Sequence, residues 1–250
     1  IFMSKYLKIN NLSYAYPDGH KALKGIDFSI NKGESIAILG PNGAGKTTLI
    51  LHLNGILGEL KGEIEVDGLE YSSENIGKIR KTVGVVFQDP DDQLFMPTVI
   101  EDVMFGPKNF GYANEESETN ALEALKMVGM ENFQDRAPHH LSFGQKRKVA
   151  IATVLASKPK LLVLDEPASN LDPASRRDLI DILIKLDISI ILVTHDLPMA
   201  LEICERSLVL NEGVIKEDSL TKDILQNSQL MKENRLELPY GFALHHLGEE

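Results

Sequence analysis

The sequence predicts an α/β chain: a core of buried strands alternating with helices, an antiparallel β portion leaning on that core, and a helical segment inserted into it. Three observations predict this. Short apolar runs at 36–39, 83–87, 161–164 and from 189 have the length and continuity of fully buried strands. Residues 5–31 and 61–68 instead alternate apolar and polar side chains around turns at Pro17-Asp18-Gly19 and Asp67-Gly68. Between the second and third apolar runs lie two helical stretches, 117–130 and 147–158, so that 89–158 reads as an insertion.

Composition bounds the class. With 250 residues, 43% hydrophobic and 25% charged, the chain has ample core for one large domain or two lobes. Its net charge of -11 gives no support for nucleic-acid binding through bulk electrostatics. Cys204 is the one cysteine, which excludes an internal disulfide; its amphipathic surroundings predict a buried structural thiol. No stretch approaches the roughly 20 apolar residues that span a bilayer, and no secretory leader is evident, so any membrane role is expected to be peripheral. Ile1 and Phe2 precede Met3 and carry no weight here.

The first apolar run leads into Gly40-Pro41-Asn42-Gly43-Ala44-Gly45-Lys46-Thr47-Thr48, the phosphate-binding loop pattern. Glycines at 40, 43 and 45 let successive backbone N–H groups point at phosphate oxygens, and the helix that follows adds its positive end. Lys46 is placed for the β- and γ-phosphates, the Thr47 hydroxyl for Mg²⁺, and Thr48 for the rim of the cradle. A nucleoside triphosphate site follows. Upstream, Tyr16 has two readings at this point: a core tyrosine, or an aromatic stacked on the base.

The second run ends in Gln88-Asp89-Pro90, at the strand edge where ligands sit in open α/β sheets. Gln88 is either a strand terminator or a ligand for Mg²⁺ or water. Residues 89–116 mix proline, glycine, acids, methionine and aromatics without holding a strand or helix period. They read as a packed loop or a docking surface. The helix at 117–130 has Ala121, Leu122, Leu125 and Val128 as its apolar face and Ser117 and Asn120 as candidate caps. At the head of the next helix, Leu141-Ser142-Phe143-Gly144-Gln145 offers a second anion-accepting N-terminus.

The third run, Leu161-Leu162-Val163-Leu164, closes on Asp165 and Glu166. Asp165 is placed to hold Mg²⁺, and Glu166 to act as general base or to orient the attacking water. The fourth run ends at Thr194-His195-Asp196, on the same edge as Gln88 and Glu166. His195 is either a satisfied structural histidine or a contact to the γ-phosphate or its water. The tail from 218 holds one helical piece and an apolar stretch with Pro239; adjacent His245 and His246 lack metal-site spacing.

The order GPNGAGKTT, Gln88, LSFGQ, LLVLDE, SNLD, His195 resembles the ATP-binding-cassette ATPases over residues 5–220. The resemblance implies a P-loop NTPase with a RecA-like core, an antiparallel β subdomain and an inserted α-helical subdomain (89–158), forming one ABC ATPase domain over 1–220. Residues 221–250 are then a C-terminal extension used in pairing. It also implies that two copies, or this chain and a close paralogue, sandwich two ATP molecules head to tail. Each phosphate loop then meets the partner's Ser142, Gly144 and Gln145. In that arrangement Tyr16 stacks on adenine, Asp172 makes a contact between the two sites, and Thr47, Gln88 and Asp165 hold Mg²⁺. Lys46, Gln88, Glu166 and His195 carry the chemistry, and an isolated chain is expected to hold ATP but hydrolyse it poorly. One departure is Phe143, where most of the family has glycine.

The stretches 87–111, 144–167 and 236–247 are more similar still to the ATPases of energy-coupling-factor importers for cobalt, nickel and vitamins. That implies a peripheral ATPase on the cytoplasmic face of the membrane, docked to a transmembrane subunit through about residues 89–111, with cobalt the favoured cargo. Two other readings fit the sequence less well. A soluble cassette ATPase of DNA repair or translation is disfavoured by the single cassette, the acidic balance and the lack of a long coiled-coil insertion. A nucleotide-gated regulatory dimer is disfavoured by the intact Gln88, Glu166 and His195.

Overall fold

The computed structural model describes residues 5–58 and 64–239. Its centre is a six-stranded sheet in which β6 (Val83–Val86), β7 (Leu161–Asp165), β8 (Ser189–Val193), β3 (Ser35–Leu39) and β9 (Arg206–Asn211) run parallel side by side. The strand β10 (Val214–Leu220) closes the edge as an antiparallel hairpin with β9. The continuous apolar runs arise because both faces of this sheet are covered. Along β3, Ile36 and Ile38 enter one core while Ala37 and Leu39 enter the other. The same alternation places Val163 and Leu164 of β7 on opposite faces.

One covering layer is a four-stranded sheet in the order β2 (Lys21–Asn31), β1 (Lys5–Ala15), β4 (Ile64–Val66), β5 (Leu69–Glu70). Its pairings are antiparallel, as the alternation predicts. Between the sheets lie α1 (Lys46–Leu53) and α2 (Ile76–Thr82), whose Leu49, Ile50, Leu53 and Ile79 are buried in the shared core. The other face is covered by helices. Three of them, α3 (Val99–Asn109), α4 (Asn114–Met127) and α5 (Phe143–Leu155), lie between β6 and β7 in the chain; α6 (Pro173–Ile184) and α7 (Leu197–Ile203) flank β8.

The structure corrects the sequence reading at four places. Residues 99–109 form a helix where no period was expected. Thr98 and Glu101 make a reciprocal capping box at its start, and Pro107 sits in the last turn, where its missing N–H costs only one bond. The next helix starts at Asn114, not at Ser117, with Glu115 and Glu116 in the first turn against the positive helix end. Ser117 and Asn120 are buried inside it and cap nothing, and Leu122 is 40% exposed because the buried stripe runs through Ala121, Ala124, Leu125 and Val128. Helix α5 begins at Phe143, four residues earlier than expected, with Ser142 as its cap. The tail has two short helices rather than one, α8 (Thr221–Gln226) and α9 (Ser228–Glu233).

Cys204 is buried, and burial pushes its thiol well up from the ordinary range, as expected of a structural thiol. Ile1, Phe2, His245, His246, residues 61–63 of the expected strand and the end of the 236–247 stretch lie outside the described residues. No helix among the described residues is long and apolar enough to cross a membrane.

Candidate nucleotide-binding site

Parallel pairing fixes the site before any side chain is considered. Val86 pairs with Leu164 and Asp165 with Val193, so the ends of β6, β7 and β8 lie on one edge. Gln88, Asp165, Glu166 and His195 therefore converge there, beside the loop that follows β3. They line one cleft of ≈ 420 Å³ together with Tyr16, residues 42–48, His20 and Ala22. His20 and Ala22 are the two lining positions that motif reading missed. His20 could have been found from the hairpin: Tyr16 N–H donates to the His20 carbonyl at 2.9 Å across the turn at 17–19, which sets their rings 6.4 Å apart.

The loop residues are held by backbone constraints that only glycine meets. Gly40 has φ +156, and a Cβ there would lie 2.0 Å from the Leu210 carbonyl oxygen. Gly45, at φ +104, caps α1, and a Cβ would meet the Ala22 carbonyl at 2.6 Å. Lys46 is buried, with Nζ donating to the carbonyls of Gly40 at 2.7 Å and Pro41 at 3.0 Å. Burial lowers its ammonium from the ordinary lysine range, partly offset by the charges of Glu166 and Asp165. Asp165 is also buried and accepts from the Thr47 hydroxyl at 3.1 Å. Burial raises its carboxyl from the usual range, the Thr47 bond lowers it, and the Glu166 charge raises it again.

Glu166 follows the strand with φ +45, a left-handed conformation that is costly for a side chain with a Cβ and recurs at functional sites. Its N–H still bonds to the Val193 carbonyl at 2.8 Å, so the strain is fixed from the neighbouring strand. Its Oε2 lies 2.8 Å from His195 Nδ1 and 3.4 Å from the Thr194 hydroxyl. Acid and histidine thus form a pair, although their sequence positions are 29 apart. The Tyr16 hydroxyl shares a hydrogen bond of 2.9 Å with the Thr48 hydroxyl, which orients the ring over the cleft.

The remaining candidates stand elsewhere. Ser142 is exposed and caps α5 in a reciprocal box with Gln145, and Gly144 faces Ser175 closely enough that a Cβ would meet its Oγ at 2.9 Å. Asp172 caps α6, accepting from the N–H groups of Ala174 and Ser175 at 3.0 Å and from the Ser175 hydroxyl at 2.6 Å. These bonds hold its carboxyl below the usual range. None of Ser142, Gly144, Gln145 or Asp172 lines the cleft of its own chain. No group of three or more His, Cys, Asp or Glu side chains arranged to hold a metal occurs among the described residues.

A phosphate loop after β3 of a parallel sheet, with an acid pair closing β7 two strands away, defines a nucleoside-triphosphatase of the phosphate-loop class. Comparison with known proteins narrows this. Residues 23–169 match the ABC transporter family, and the chain belongs to that family. A putative ABC transporter ATP-binding protein of Streptomyces avermitilis is 59% identical over 94% of this chain and 90% of its own length. The energy-coupling factor transporter ATP-binding protein EcfA of Methanothermobacter thermautotrophicus is 47% identical over 93% of this chain and 76% of its own.

Among solved structures, cbiO1 of Clostridium perfringens, described as part of the ABC transporter complex cbiONQ, aligns with TM-score 0.80 and 41% identity, covering 94% of this chain and 96% of that one. The cassette MJ0796, solved as a dimer bound to ADP and Pi, aligns with TM-score 0.76 and 31% identity over 86% of this chain and 98% of its own. The fold is the ABC ATPase cassette, and the chain is an ABC ATPase subunit resembling the energy-coupling-factor branch.

Proposed function

We propose that this chain is the Mg²⁺-dependent ATPase of an energy-coupling-factor importer, working as a pair of cassettes docked beneath a transmembrane subunit on the cytoplasmic face. Residues 1–220 form the cassette, with 89–158 as its helical subdomain, and 221–250 extend it toward the partner copy. The observation that carries the reading is the incompleteness of the cleft. Lys46, Thr47, Gln88, Asp165, Glu166 and His195 are gathered in it, while Ser142, Gly144, Gln145 and Asp172 stand outside it at the capped starts of α5 and α6. A second copy, or a close paralogue, supplies that other half.

The residues fit a small hard cation. The Thr47 hydroxyl and the Asp165 carboxylate are already 3.1 Å apart, the Gln88 amide lines the same cleft, and all three offer oxygen. When bound, Mg²⁺ would neutralise charge on the transferring phosphoryl group. Lys46 exchanges its two carbonyl partners for phosphate oxygens, and the N–H groups of 42–48 hold the phosphates from below. Tyr16 stacks on the base. Glu166 Oε2 accepts the proton of the attacking water or orients it, and His195, hydrogen-bonded to the same oxygen, fixes the carboxylate. A triphosphate bound this way favours the closed pair, and hydrolysis removes that preference.

Two features of the named relatives support the transport role: the association of cbiO1 with a transporter complex and the energy-coupling-factor name of the 47%-identical protein. Cobalt is the cargo we infer, ahead of another metal ion or a vitamin.

Complementation tests the paired site. Lys46→Ala and Ser142→Arg chains should each be inactive alone. Mixed, they should regain ATP hydrolysis, because the heterodimer contains one intact loop facing one intact signature. A mixture that forms heterodimers yet stays inactive, or a Ser142→Arg chain as active as the unmutated one, overturns the half-site reading.

A further inference from the structure

The largest fully buried side chain is not apolar. Arg147, on the second turn of α5, has no exposed surface. Its guanidinium donates to two neutral backbone carbonyls, Phe87 at 2.8 Å and Gln88 at 2.6 Å, while its Nε has no partner among the described residues. Burial lowers its basicity, offset by the charges of Asp89 and Asp165 rather than by a contacting carboxylate. A charge buried against carbonyls alone is a costly way to fill a core. What the arrangement gains is geometry: a rigid planar fork gripping the two residues that follow β6.

The grip is reinforced along α5. One turn before the guanidinium stands the Phe143 ring, with the Arg147 Cζ 5.4 Å from its centroid, an i,i+4 pair that covers the charge. Lys146 reaches Asp91 at 2.7 Å. Gln93 donates to the Ala150 carbonyl at 2.7 Å and the Thr153 hydroxyl at 2.6 Å, and its Oε1 accepts from the Phe87 N–H at 3.3 Å. Segment 87–93 is thus laced to successive turns of α5, the helix that Ser142 caps.

We propose that Arg147, sheltered by Phe143, is a positioning residue that locks the Gln88 backbone to the start of α5, so that the Gln88 amide and the Ser142 cap move as one body. This rests on the nucleotide site proposed above and adds a role for the aromatic residue in the signature. It makes the Gln88 contribution to metal binding depend on a side chain that never enters the cleft.

The test uses the full-length chain with Arg147→Met, which keeps volume and removes both donors, and Phe143→Leu, which removes only the ring. Three quantities are measured: ATP affinity without metal by a fluorescent ATP analogue, Mn²⁺ affinity by electron paramagnetic resonance in the presence of a non-hydrolysable ATP analogue, and kcat against KM. For Arg147→Met we expect metal-free nucleotide affinity within about twofold, Mn²⁺ binding weakened by about tenfold, and a fall in kcat with KM little changed, the size seen when groups behind a metal ligand are lost. Phe143→Leu should move the same two quantities by a smaller factor, and Arg147→Lys should recover part of the Mn²⁺ affinity. Unchanged Mn²⁺ affinity in a folded Arg147→Met chain overturns the inference, as does a parallel loss of metal-free and metal-dependent binding. If Arg147→Met does not fold, Phe143→Leu decides by the same criteria. An unmutated chain that binds neither nucleotide nor Mn²⁺ would instead refute the site itself.

Discussion

The nucleotide cleft and the segment 89–111 each bury a carboxylate against its nature, and they use it in opposite ways. In both Asp165 and Asp102, burial is the largest influence and raises the carboxyl from the ordinary range. Asp165 looks outward, bonded to the Thr47 hydroxyl at the wall of an open cleft. Asp102 looks inward. Its Oδ1 accepts from the N–H groups of Phe95 and Met96 at 3.0 Å, and its Oδ2 has no partner among the described residues. In the site proposed above, the first carboxylate is held for a ligand. The second shapes backbone, and the backbone it shapes presents an aromatic ring to solvent. Under that proposal polar burial at the cleft serves chemistry, whereas polar burial under 95–96 fixes backbone.

The sharpest way to separate the two is to remove a charge that only the cleft needs. Glu166→Gln keeps the shape of the side chain and loses the basic oxygen beside His195. Hydrolysis at saturating ATP should fall by about 10²–10⁴-fold, the usual span for a general base, while ATP binding and pairing of two chains persist. A rate near normal in that variant, measured by phosphate release, would remove Glu166 from the mechanism.

The second prediction concerns stability. The folded-state carboxyl of Asp165 titrates above its unfolded value, so its favourable contribution exists at low pH and is lost as pH rises through the folded value. At neutral pH, without nucleotide, the ionised group is a burden on the fold. Asp165→Asn should therefore melt higher than the unmutated chain at pH 7 without nucleotide, by about 2–4 °C for ~1 kcal/mol in a chain of this size. The gap should close as pH is lowered toward about 4, where the unfolded carboxylate also takes up its proton. With ATP and Mg²⁺ the order should invert, because only the unmutated chain gains from the ion. Thermal melts across that pH range check each part, and an Asn variant that melts lower at pH 7 without ligand would show that Asp165 is satisfied rather than strained.

The same contrast explains what the sequence could reveal. The cleft was legible because its chemistry is fixed by local spacing: Gly40 to Thr48 is one turn between strand and helix, and Asp165-Glu166 closes one strand. Strand ends that share an edge followed from continuous apolar runs, since only a sheet covered on both faces hides them. Pairings set by the tertiary fold were not legible. Nothing local joins Arg147 to the carbonyl of Gln88, 59 positions away, or Tyr16 to Thr48, 32 away. Helix α3 was missed although its capping box, Thr98 to Glu101, is written in the sequence, because Pro107 and the solvent-facing Phe105 break the apolar period. The period fails there for a physical reason. Under the docking role proposed for 89–111, a surface that meets another protein exposes the side chains that an amphipathic helix would hide.

That reasoning yields the third prediction. Phe95 is 62% exposed and Phe105 40% exposed, yet they are packed edge to face with centroids 4.8 Å apart. Asp102 fixes the backbone of the first, and α3 carries the second on the same helix as Asp102. Two rings held rigid before any partner arrives lose little freedom on docking, which is what makes an aromatic anchor effective. Phe95→Ser should leave the melting temperature nearly unchanged, since most of the ring is already in water. It should reduce the chain recovered with detergent-solubilised transmembrane subunits by about tenfold, the effect of one interface anchor. Asp102→Ala should reproduce the loss of recovery with the Phe95 ring still present, by freeing the backbone that aims it. If Phe95→Ser is recovered as well as the unmutated chain, the exposed pair is ordinary surface, and the inward carboxylate beneath it is a structural device with no partner to serve.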